Sequence, residues 1–415
     1  MNVAIIGGGF TGLSAAYELL KYGHRVTLFE KENQLGGLAI GWREKGWKWS
    51  LEKGYHHWFT NDDAILNLIT ELDLQKKLII KRPITSVWFR EKLYPFDSPS
   101  SLLSFPGLSF PDKIRTASLV VFLKLNPFWQ PLEAITAEQL FISVGGKRAW
   151  KTIWEPLLYG KFGDYAPTVA ASWLWARIKK RTPSLAYMEG GFQTLVDALA
   201  NEIRKQGGII KTSSQFTINN SQFDRVLLTV PTPIATKLFP QIKIPPIPHL
   251  HAHVLTLETK EPVLNDVYWL NVTDRSFPFL AVVAHTNFID KRYYGNHHIT
   301  YIGNYLPQGH RYLSMNAKQL LKEFTPYIRI INKQFNNVTI QQLHLFTGPF
   351  AQPVHELHYS KISPKLETPI PGVYLANLDS VYPWDRGTNY AVELGIRAAR
   401  QIHDSYSSSL KPFLR

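Results

Sequence analysis

The stretch Val3-Ala-Ile-Ile-Gly-Gly-Gly-Phe-Thr-Gly12 decides the fold of this chain. Its apolar, β-branched beginning predicts a buried parallel strand, which runs directly into a glycine-rich turn. The turn matches the pattern G-x-G-x-x-G at Gly7, Gly9 and Gly12. A turn of this kind between a strand and a helix is typical of a dinucleotide-binding unit, because its glycines let the backbone approach a pyrophosphate.

A helix and a second strand complete this unit. Residues 13–22 have the apolar spacing of a helix, and Gly23 is a typical helix end. The second strand, residues 25–29, is followed by Glu30, 18 positions beyond Gly12. An acid at that place accepts hydrogen bonds from ribose hydroxyls, and the helix N-terminus attracts a pyrophosphate. We therefore assign nucleotide binding to Gly7, Gly9, Phe10, Thr11, Gly12, Glu30 and Lys31.

The next pair of glycines resembles a known family. Gln34-Leu-Gly-Gly-Leu-Ala39 is similar to the second glycine pair of the FAD-binding amine oxidase superfamily. That superfamily includes monoamine oxidases, protoporphyrinogen oxidases, phytoene desaturases and, more distantly, UDP-galactopyranose mutases. The resemblance implies non-covalently bound FAD, with Gly36 and Gly37 against its pyrophosphate and ribityl chain. The family often has arginine after this pair, where this chain has Leu38 among the predicted cofactor contacts.

A histidine segment follows. Lys53–Asn61 resembles the family's next motif, in which a Gly-x-His sequence passes near the flavin ring. The resemblance places Tyr55 and His56 beside the flavin, and His56 matches the flavin-side histidine of the mutases. Their second histidine is replaced by Phe59. We take His56 and His57 as catalytic candidates, although a histidine pair beside aromatic residues also suits hydrogen-bonded packing.

A middle segment resembles the part of the family that returns to the cofactor. Gly190 and Gly191 open a predicted helix that ends at Gly207 and Gly208, and strands are predicted at residues 209–212 and 224–231. In the family, backbone groups after the first of these strands hold the adenine, which here means Gln215 and Phe216. From the residues alone, an ordinary βα repeat without ligand contact is the alternative.

The C-terminal segment predicts a strand at residues 371–377, a loop, and a helix over residues 390–402. In the family, the N-terminus of this last helix points at the flavin pyrimidine, where its N–H groups and dipole stabilise negative charge. The resemblance assigns this contact to Gly387, Thr388, Asn389 and Tyr390.

A carboxylate that the family usually has in this segment is displaced here. Its Ala-Gly-Asp is replaced by Ala376-Asn-Leu378, so the carboxylate is missing or shifted to Asp379. Asp385 is a second candidate, which could instead pair with its neighbour Arg386.

The predicted fold class is therefore α/β, with a discontinuous Rossmann-like FAD-binding domain and an interposed α+β substrate domain. The FAD-binding domain takes residues 1–83, 188–235 and 366–405, and the substrate domain takes residues 84–187 and 236–365. Residues 406–415 are predicted to be a C-terminal tail. This order of segments is the family's order.

The substrate domain supplies aromatic candidates. Residues 155–177 resemble the helical insert that walls the substrate cavity of protoporphyrinogen-oxidase-like proteins, which implies substrate contacts for Tyr159, Trp173 and Trp175. As bare residues, such aromatic side chains are more often core. Residues 113–125 predict a nearly apolar helix, which is either buried or dips into a membrane from one side.

Composition excludes several function classes. The 415 residues carry 46 Lys and Arg against 32 Asp and Glu, a net charge of +14 that favours an anionic partner. The absence of cysteine excludes disulfides, thiolate metal sites and a flavin attached through cysteine. No carboxylate accompanies the alternating His249, His251 and His253, so we predict no metal site, and the basic runs lack a nucleic-acid module.

The N-terminus predicts a strand and not a signal peptide, and no apolar run reaches the roughly 18 residues of a membrane span. We therefore expect a cytoplasmic protein, with peripheral attachment to a membrane left open.

The resemblance implies an FAD-dependent oxidoreductase that acts on a small molecule. The leading hypothesis is dehydrogenation of a large apolar substrate, protoporphyrinogen-like or polyene-like, by hydride transfer to flavin N5. The alternatives are a redox-neutral enzyme resembling UDP-galactopyranose mutase, an amine oxidase, and a non-enzymatic FAD-stabilised protein that binds a membrane surface. Amine oxidation is the less attractive of these, because no counterpart of the lysine near N5 is evident in residues 249–259.

Overall fold

The computed structural model describes residues 1–216 and 223–410. In chain order, the strands are β1 Asn2–Ile6, β2 Arg25–Phe29, β3 Gly41–Trp42, β4 Leu51–Glu52, β5 Trp58–Phe59, β6 Leu78–Lys81, β7 Ile84–Phe89, β8 Lys92–Pro95, β9 Leu185–Met188, β10 Ile209–Lys211, β11 Arg225–Leu228, β12 His249–Thr259, β13 Val267–Val272, β14 Ala281–Ala284, β15 His298–Pro307, β16 Ile340–Pro353 and β17 Val373–Leu375. The helices are α1 Phe10–Lys21, α2 Asp63–Glu71, α3 Pro99–Ser104, α4 Phe110–Leu125, α5 Ala137–Leu140, α6 Lys147–Ala149, α7 Glu155–Phe162, α8 Ala171–Lys180, α9 Phe192–Lys205, α10 Thr232–Leu238, α11 Ala317–Ile331 and α12 Thr388–Leu410.

A five-stranded parallel sheet lies at the base of the predicted nucleotide site. Its strand order is β10-β2-β1-β11-β17, so three distant parts of the chain contribute to it. In the central strand β1, residues 3–6 are buried, which is why they are continuously apolar. The predicted elements at the N-terminus, after residue 190 and near residue 373 all belong to this sheet or pack on it, which confirms the α/β fold.

Helices α1 and α12 pack against each other beside this sheet. A Cβ atom on Gly395 of α12 would lie 2.4 Å from the backbone oxygen of Thr11, so a glycine is needed where the two helices cross. Helix α12 begins two residues before the predicted start at Tyr390. It also continues to Leu410, so the first residues of the predicted C-terminal tail are helical.

A seven-stranded mixed sheet forms the second layer, with the order β16-β12-β15-β14-β13-β7-β8. Helix α11 packs on one face of it, through Leu320, Phe324 and Ile328. On the sheet's other face, Gly303 of β15 lies against the ring of Tyr55, because a Cβ atom there would be 2.5 Å from Tyr55 Cε1. The histidine segment is therefore seated on the mixed sheet.

Helix α4 contains the predicted apolar helix of residues 113–125, but only one of its faces is buried. Thr116, Leu119 and Leu123 point inward. The alternative of a fully buried helix is wrong, because apolar side chains on the other face reach solvent. Their exposed fractions are Phe110 69%, Ile114 46%, Val121 55%, Phe122 46% and Leu125 75%. No helix in the described part of the chain is long and apolar enough to span a bilayer.

Candidate functional site

The glycines of the two turns let one backbone approach the other. A Cβ atom on Gly12 would lie 2.0 Å from the backbone oxygen of Gly7, and Gly7 itself has φ of +114°. A Cβ atom on Gly37 would lie 3.1 Å from the Cα atom of Gly9, and Gly36 N donates to Gly8 O at 2.9 Å. Side chains at these positions would fill the space over the turn, so the glycines keep two backbone segments open to a ligand.

Helix α1 presents its N-terminus at this turn. Gly9 is the residue before the helix and has no side chain with which to cap the first N–H groups, which belong to Phe10, Thr11 and Gly12. These N–H groups and the positive end of the helix dipole are the donors that a phosphate accepts from. The site therefore fits the pyrophosphate of a dinucleotide.

Glu30 lies between the glycine turn and the predicted adenine segment. Its carboxylate accepts hydrogen bonds from Gly8 N at 2.7 Å and Glu32 N at 2.9 Å. Ser214 N donates to the Glu30 backbone oxygen, and the Phe216 ring packs on Phe29 with centroids 5.5 Å apart. Glu30 and the segment that includes Gln215 and Phe216 are thus brought together. Lys31 instead pairs with Glu32 at the surface, at 3.3 Å.

Leu38 projects from the second glycine turn toward the mixed sheet. It is 43% exposed, and its Cδ2 atom would lie 3.1 Å from a Cβ atom on Gly348 of β16. An apolar side chain therefore stands where the two sheets approach each other, in place of the family's arginine.

The histidine segment lines the cleft between the two sheets. The Tyr55 ring lies edge-on to Trp269, with centroids 4.9 Å apart, and His57 Nδ1 is 3.1 Å from the hydroxyl of Tyr268. His56 Nδ1 lies 2.7 Å from the backbone oxygen of Gly54. A carbonyl oxygen can only accept, so Nδ1 of His56 carries the proton and Nε2 has the lone pair.

Both histidines are neutral at pH 7. Burial lowers the pKa of His56 to about 4 and that of His57 to about 3. The positive charge of Arg386 lowers the pKa of His56 further, and those of Arg181 and Arg177 act in the same direction on His57. A neutral imidazole can accept a proton, which is the property required of a general base.

The N-terminus of α12 reaches this segment. Trp58 Nε1 donates to Thr388 Oγ1 at 2.7 Å, and Ile65 N donates to Asn389 Oδ1 at 3.1 Å. The Tyr390 ring stacks on Trp384 with centroids 5.7 Å apart, while Gly387 is exposed. The side-chain oxygens of Thr388 and Asn389 thus fix the end of the helix to neighbouring elements, and the backbone N–H groups are the helix's contribution toward the cleft.

Asp379 is buried and bound to the protein. Its carboxylate accepts from His249 Nε2 at 2.8 Å and from the hydroxyl of Thr232. The other two alternating histidines do not reach this carboxylate: His253 Nδ1 lies 2.9 Å from Thr347 Oγ1, and His251 lies beside Phe350, which also contacts His249. Among the described residues, no group of three potential ligands is arranged to hold a metal ion.

Asp385 is the centre of a buried ion-pair cluster. Its Oδ2 atom accepts from Arg177 at 3.0 Å and from Lys161 at 3.4 Å, and its Oδ1 atom accepts from Trp173 Nε1 at 3.1 Å. Burial would raise the pKa of Asp385, but the charges of Lys161 and Arg177 outweigh burial and hold it well below its usual range. The suggested pair with Arg386 is wrong, because Arg386 Nε donates to Gln352 Oε1 at 2.8 Å.

The three aromatic residues predicted to contact substrate have different surroundings. Trp173 is 3% exposed and lies under the Lys161 ammonium, 4.7 Å from the ring centroid. Trp175 is 2% exposed and donates to Asn126 O. Tyr159 is half-buried, with the Arg275 guanidinium 4.1 Å above its ring. The structure places the two tryptophans in the core of the interposed helices, where packing accounts for both side chains without a substrate.

Sequence reasoning missed several polar residues around the cleft. Glu52 is fully buried and accepts from Tyr187 Oη at 2.7 Å and Phe192 N at 2.6 Å, and burial raises its pKa to about 7. Lys161 is 6% exposed, and burial lowers its pKa well below the usual value. Charged residues inside mainly apolar segments, such as Lys161 between Leu158 and Phe162, are the signal that could have indicated them.

The comparisons with known proteins agree with this geometry. Residues 10–403 match the model of the family described as flavin-containing amine oxidoreductase. A zeta-carotene desaturase from Solanum lycopersicum is 28% identical over 187 residues, which cover 38% of this chain and 31% of the relative. A carotenoid phi-ring synthase from Streptomyces griseus is 30% identical over 134 residues, covering 30% of this chain and 25% of the relative. The matched regions thus span about a third or less of these relatives.

Solved structures share the fold at low sequence identity. A structure from Exiguobacterium sp. 255-15, assigned as a protoporphyrinogen oxidase, has a TM-score of 0.77 and 17% identity, covering 97% of this chain and 99% of that one. Reduced UDP-galactopyranose mutase has a TM-score of 0.73 and 15% identity, covering 97% and 95%. The glycine turns, the N-terminus of α1 and Glu30 fit the cofactor that the matched family contains.

Proposed function

This chain belongs to the family of flavin-containing amine oxidoreductases and is therefore an FAD-dependent oxidoreductase, and from that premise we propose that it dehydrogenates a large apolar substrate. The names of its curated relatives, carotene desaturases among them, support a polyene-like or similarly large molecule. In this proposal, residues 1–83, 188–235 and 366–405 hold FAD non-covalently. Residues 84–187 and 236–365 enclose the substrate.

The aromatic enclosure of the histidine segment is the observation that carries this proposal. Trp269 lies edge-on to Tyr55, with ring centroids 4.9 Å apart, and both rings are partly exposed. The rings of Tyr301, Trp58 and Phe192 are buried and pack against this segment. Aromatic walls exclude water and favour an apolar ligand, and exclusion of water protects a hydride transfer from side reactions. The cleft is thus suited to an apolar substrate at the place where the histidines and α12 meet.

The chain's own residues would position and deprotonate the substrate. When bound, FAD supplies a hydride acceptor at its N5 atom. His56, protonated at Nδ1 by its hydrogen bond to Gly54, holds Nε2 as the atom that accepts the proton lost from the substrate. His57 and Tyr268 fix each other's orientation, and the first turn of α12 directs N–H groups toward developing negative charge.

Anaerobic titration of the FAD-loaded protein tests this function. We expect a polyene or a porphyrinogen to bleach the visible absorbance of the flavin stoichiometrically. His56→Gln should keep its FAD but slow the bleaching by about 100-fold, because a general base is lost. If a nucleotide-sugar is converted without net bleaching, and neither apolar substrate reduces the flavin, the mutase-like reaction replaces the dehydrogenation.

We also propose that the protein docks peripherally on an anionic membrane through α4. The apolar residues Phe110, Ile114, Val121 and Leu125 recur at intervals of four and seven, so they lie on one exposed face, which we call the α4 face. Phe128, 64% exposed, follows directly. Basic residues beside this face, Lys113, Arg115 and Lys124, are complementary to anionic lipid.

Vesicle flotation tests this docking. The double variant Val121→Asp and Leu125→Asp should reduce binding to phosphatidylglycerol-containing vesicles at least about tenfold, because two carboxylates would have to enter the lipid interface. Val338→Asp with Leu357→Asp is the matched control, since both residues are exposed apolar residues outside α4. Equal flotation of the α4 variant and the wild type would exclude the α4 face as the docking surface.

A further inference from the structure

Three arginines surround the histidine segment. The charges of Arg386 and Arg177 oppose the burial that raises the pKa of Tyr55, and the charges of Arg181 and Arg177 contribute to the lowered pKa of His57. Thr60 N donates to Thr182 Oγ1 at 3.2 Å, so the residues that follow α8 lie beside this segment. Arg386 lies over the ring of Tyr305 on β15, the strand whose Gly303 contacts Tyr55. Positive charge therefore lies beside a mainly aromatic segment.

Negative charge in the protein does not balance these cations. Asp385 is shared between Arg177 and Lys161, at 3.0 and 3.4 Å. Arg386 is bound to the neutral side chain of Gln352 and lies over the Tyr305 ring, 4.6 Å from its centroid. Mutual repulsion between neighbouring cations is unfavourable, and an added anion would relieve it.

Of these cations, Arg181 has the least negative charge close to it. No ion pair within residues 1–216 and 223–410 includes it, although the more distant Asp97 attracts its charge. Its side chain is exposed, whereas Lys161 and Arg386 are covered by aromatic rings. The backbone oxygen of Arg181 accepts from Lys124, which fixes the backbone at the end of α8. Because the residue is exposed, its guanidinium is available to a ligand.

We propose that Arg181, together with Arg177, binds an oxyanion at one end of the substrate, so that the substrate is an amphiphilic acid with an apolar body. A guanidinium group donates two parallel hydrogen bonds to a carboxylate or a phosphate, which fixes orientation as well as affinity. The apolar body would then lie along Tyr55 and Trp269. This inference rests on the proposed function for its apolar part, but the oxyanion site is measurable by binding alone.

Paired probes with and without an anionic end test the site. We expect the FAD-loaded protein to bind retinoic acid at least about tenfold more tightly than retinol, as followed by quenching of tryptophan fluorescence. Geranylgeranyl diphosphate against geranylgeraniol repeats the comparison for phosphate. A preference in either pair supports the oxyanion site, and the stronger preference identifies carboxylate or phosphate. Equal binding within both pairs would overturn it.

Variants at the end of α8 locate the charge. Arg181→Gln should abolish the preference for the acid, and Arg181→Lys should retain part of it. Lys180→Gln is the matched control, because its ammonium lies over the Trp384 ring, 5.2 Å from the centroid, and it should keep the preference. If Arg181→Gln binds retinoic acid like the wild type, the proposal is wrong.

The failure of this inference is distinguishable from failure of the proposed function. Binding preference for the acids without any flavin bleaching would leave the oxyanion site in place and remove the dehydrogenation. Bleaching by neutral polyenes with no preference for acids would support the dehydrogenation and exclude the oxyanion site. In the wild type, raising NaCl from about 50 to about 500 mM should also weaken the preference, since salt screens a site that is open to solvent.

Discussion

Asp385→Asn is expected to lower the free energy of unfolding by about 3–5 kcal/mol. The substitution keeps an acceptor for Trp173 but removes the charge that faces Lys161 and Arg177. Lys161 is 6% exposed, so without Asp385 its amine must either lose its proton or stay charged without a counter-charge, and both cost stability. Denaturant unfolding of the FAD-loaded protein measures the loss.

An exposed ion pair provides the control for Asp385. Asp290 and Arg292 form a surface pair at 3.6 Å, and Asp290→Asn should change stability by less than about 1 kcal/mol. The double variant Asp385→Leu with Lys161→Met should recover part of the loss, because it removes both buried charges together. A loss below about 1 kcal/mol for Asp385→Asn would show that the cluster does not hold the interposed helices on the loop before α12.

Gly12→Ala should weaken FAD binding by about a hundredfold or more, which is about 2.7 kcal/mol. The new Cβ atom would lie 2.0 Å from the backbone oxygen of Gly7 and 3.0 Å from Thr229 Oγ1, so the turn that cradles the pyrophosphate must move. Ultrafiltration followed by flavin absorbance measures the FAD that the purified protein retains.

A control substitution two residues further along α1 distinguishes an effect on the glycine turn from an effect on the helix as a whole. Ser14 is buried and its hydroxyl lacks a hydrogen-bond partner among the described residues, so Ser14→Ala should retain FAD like the wild type. Full retention by Gly12→Ala would mean that the close contact with Gly7 is not needed for cofactor binding.

Local patterns in the sequence predicted the cofactor half of the molecule well. The spacing of Gly7, Gly9 and Gly12 between a strand and a helix has few structural alternatives, and α1 and β2 lie where it indicates. The sequence also predicts the C-terminal helix, although the helix begins at Thr388, whose hydroxyl accepts a hydrogen bond from Trp58. These features depend on residues close together in the chain or on a single dominant motif.

Features that depend on distant residues could not be predicted in the same way. Asp385 is separated by more than 200 positions from both Lys161 and Arg177, and nothing local distinguishes these cations from the neighbouring Arg386.

Helix α4 presents a related difficulty. Its sequence is apolar on nearly all sides, so periodicity cannot say that Leu119 is buried while Val121 and Leu125 are exposed. Tertiary packing determines both the ion-pair cluster of Asp385 and the face of α4 that is buried.

The order of strands in the parallel sheet has a consequence for synthesis of the chain. Strand β1 pairs with β2 nearby in sequence, but its other neighbour, β11, begins at Arg225, and β17 completes the edge only at residues 373–375. At about 5–20 residues per second, a ribosome exposes β1 and β2 long before it has synthesised β11 and β17. The nascent N-terminal segment therefore depends on delayed, long-range closure, and a chain truncated before β17 and α12 is expected to lack a completed nucleotide site.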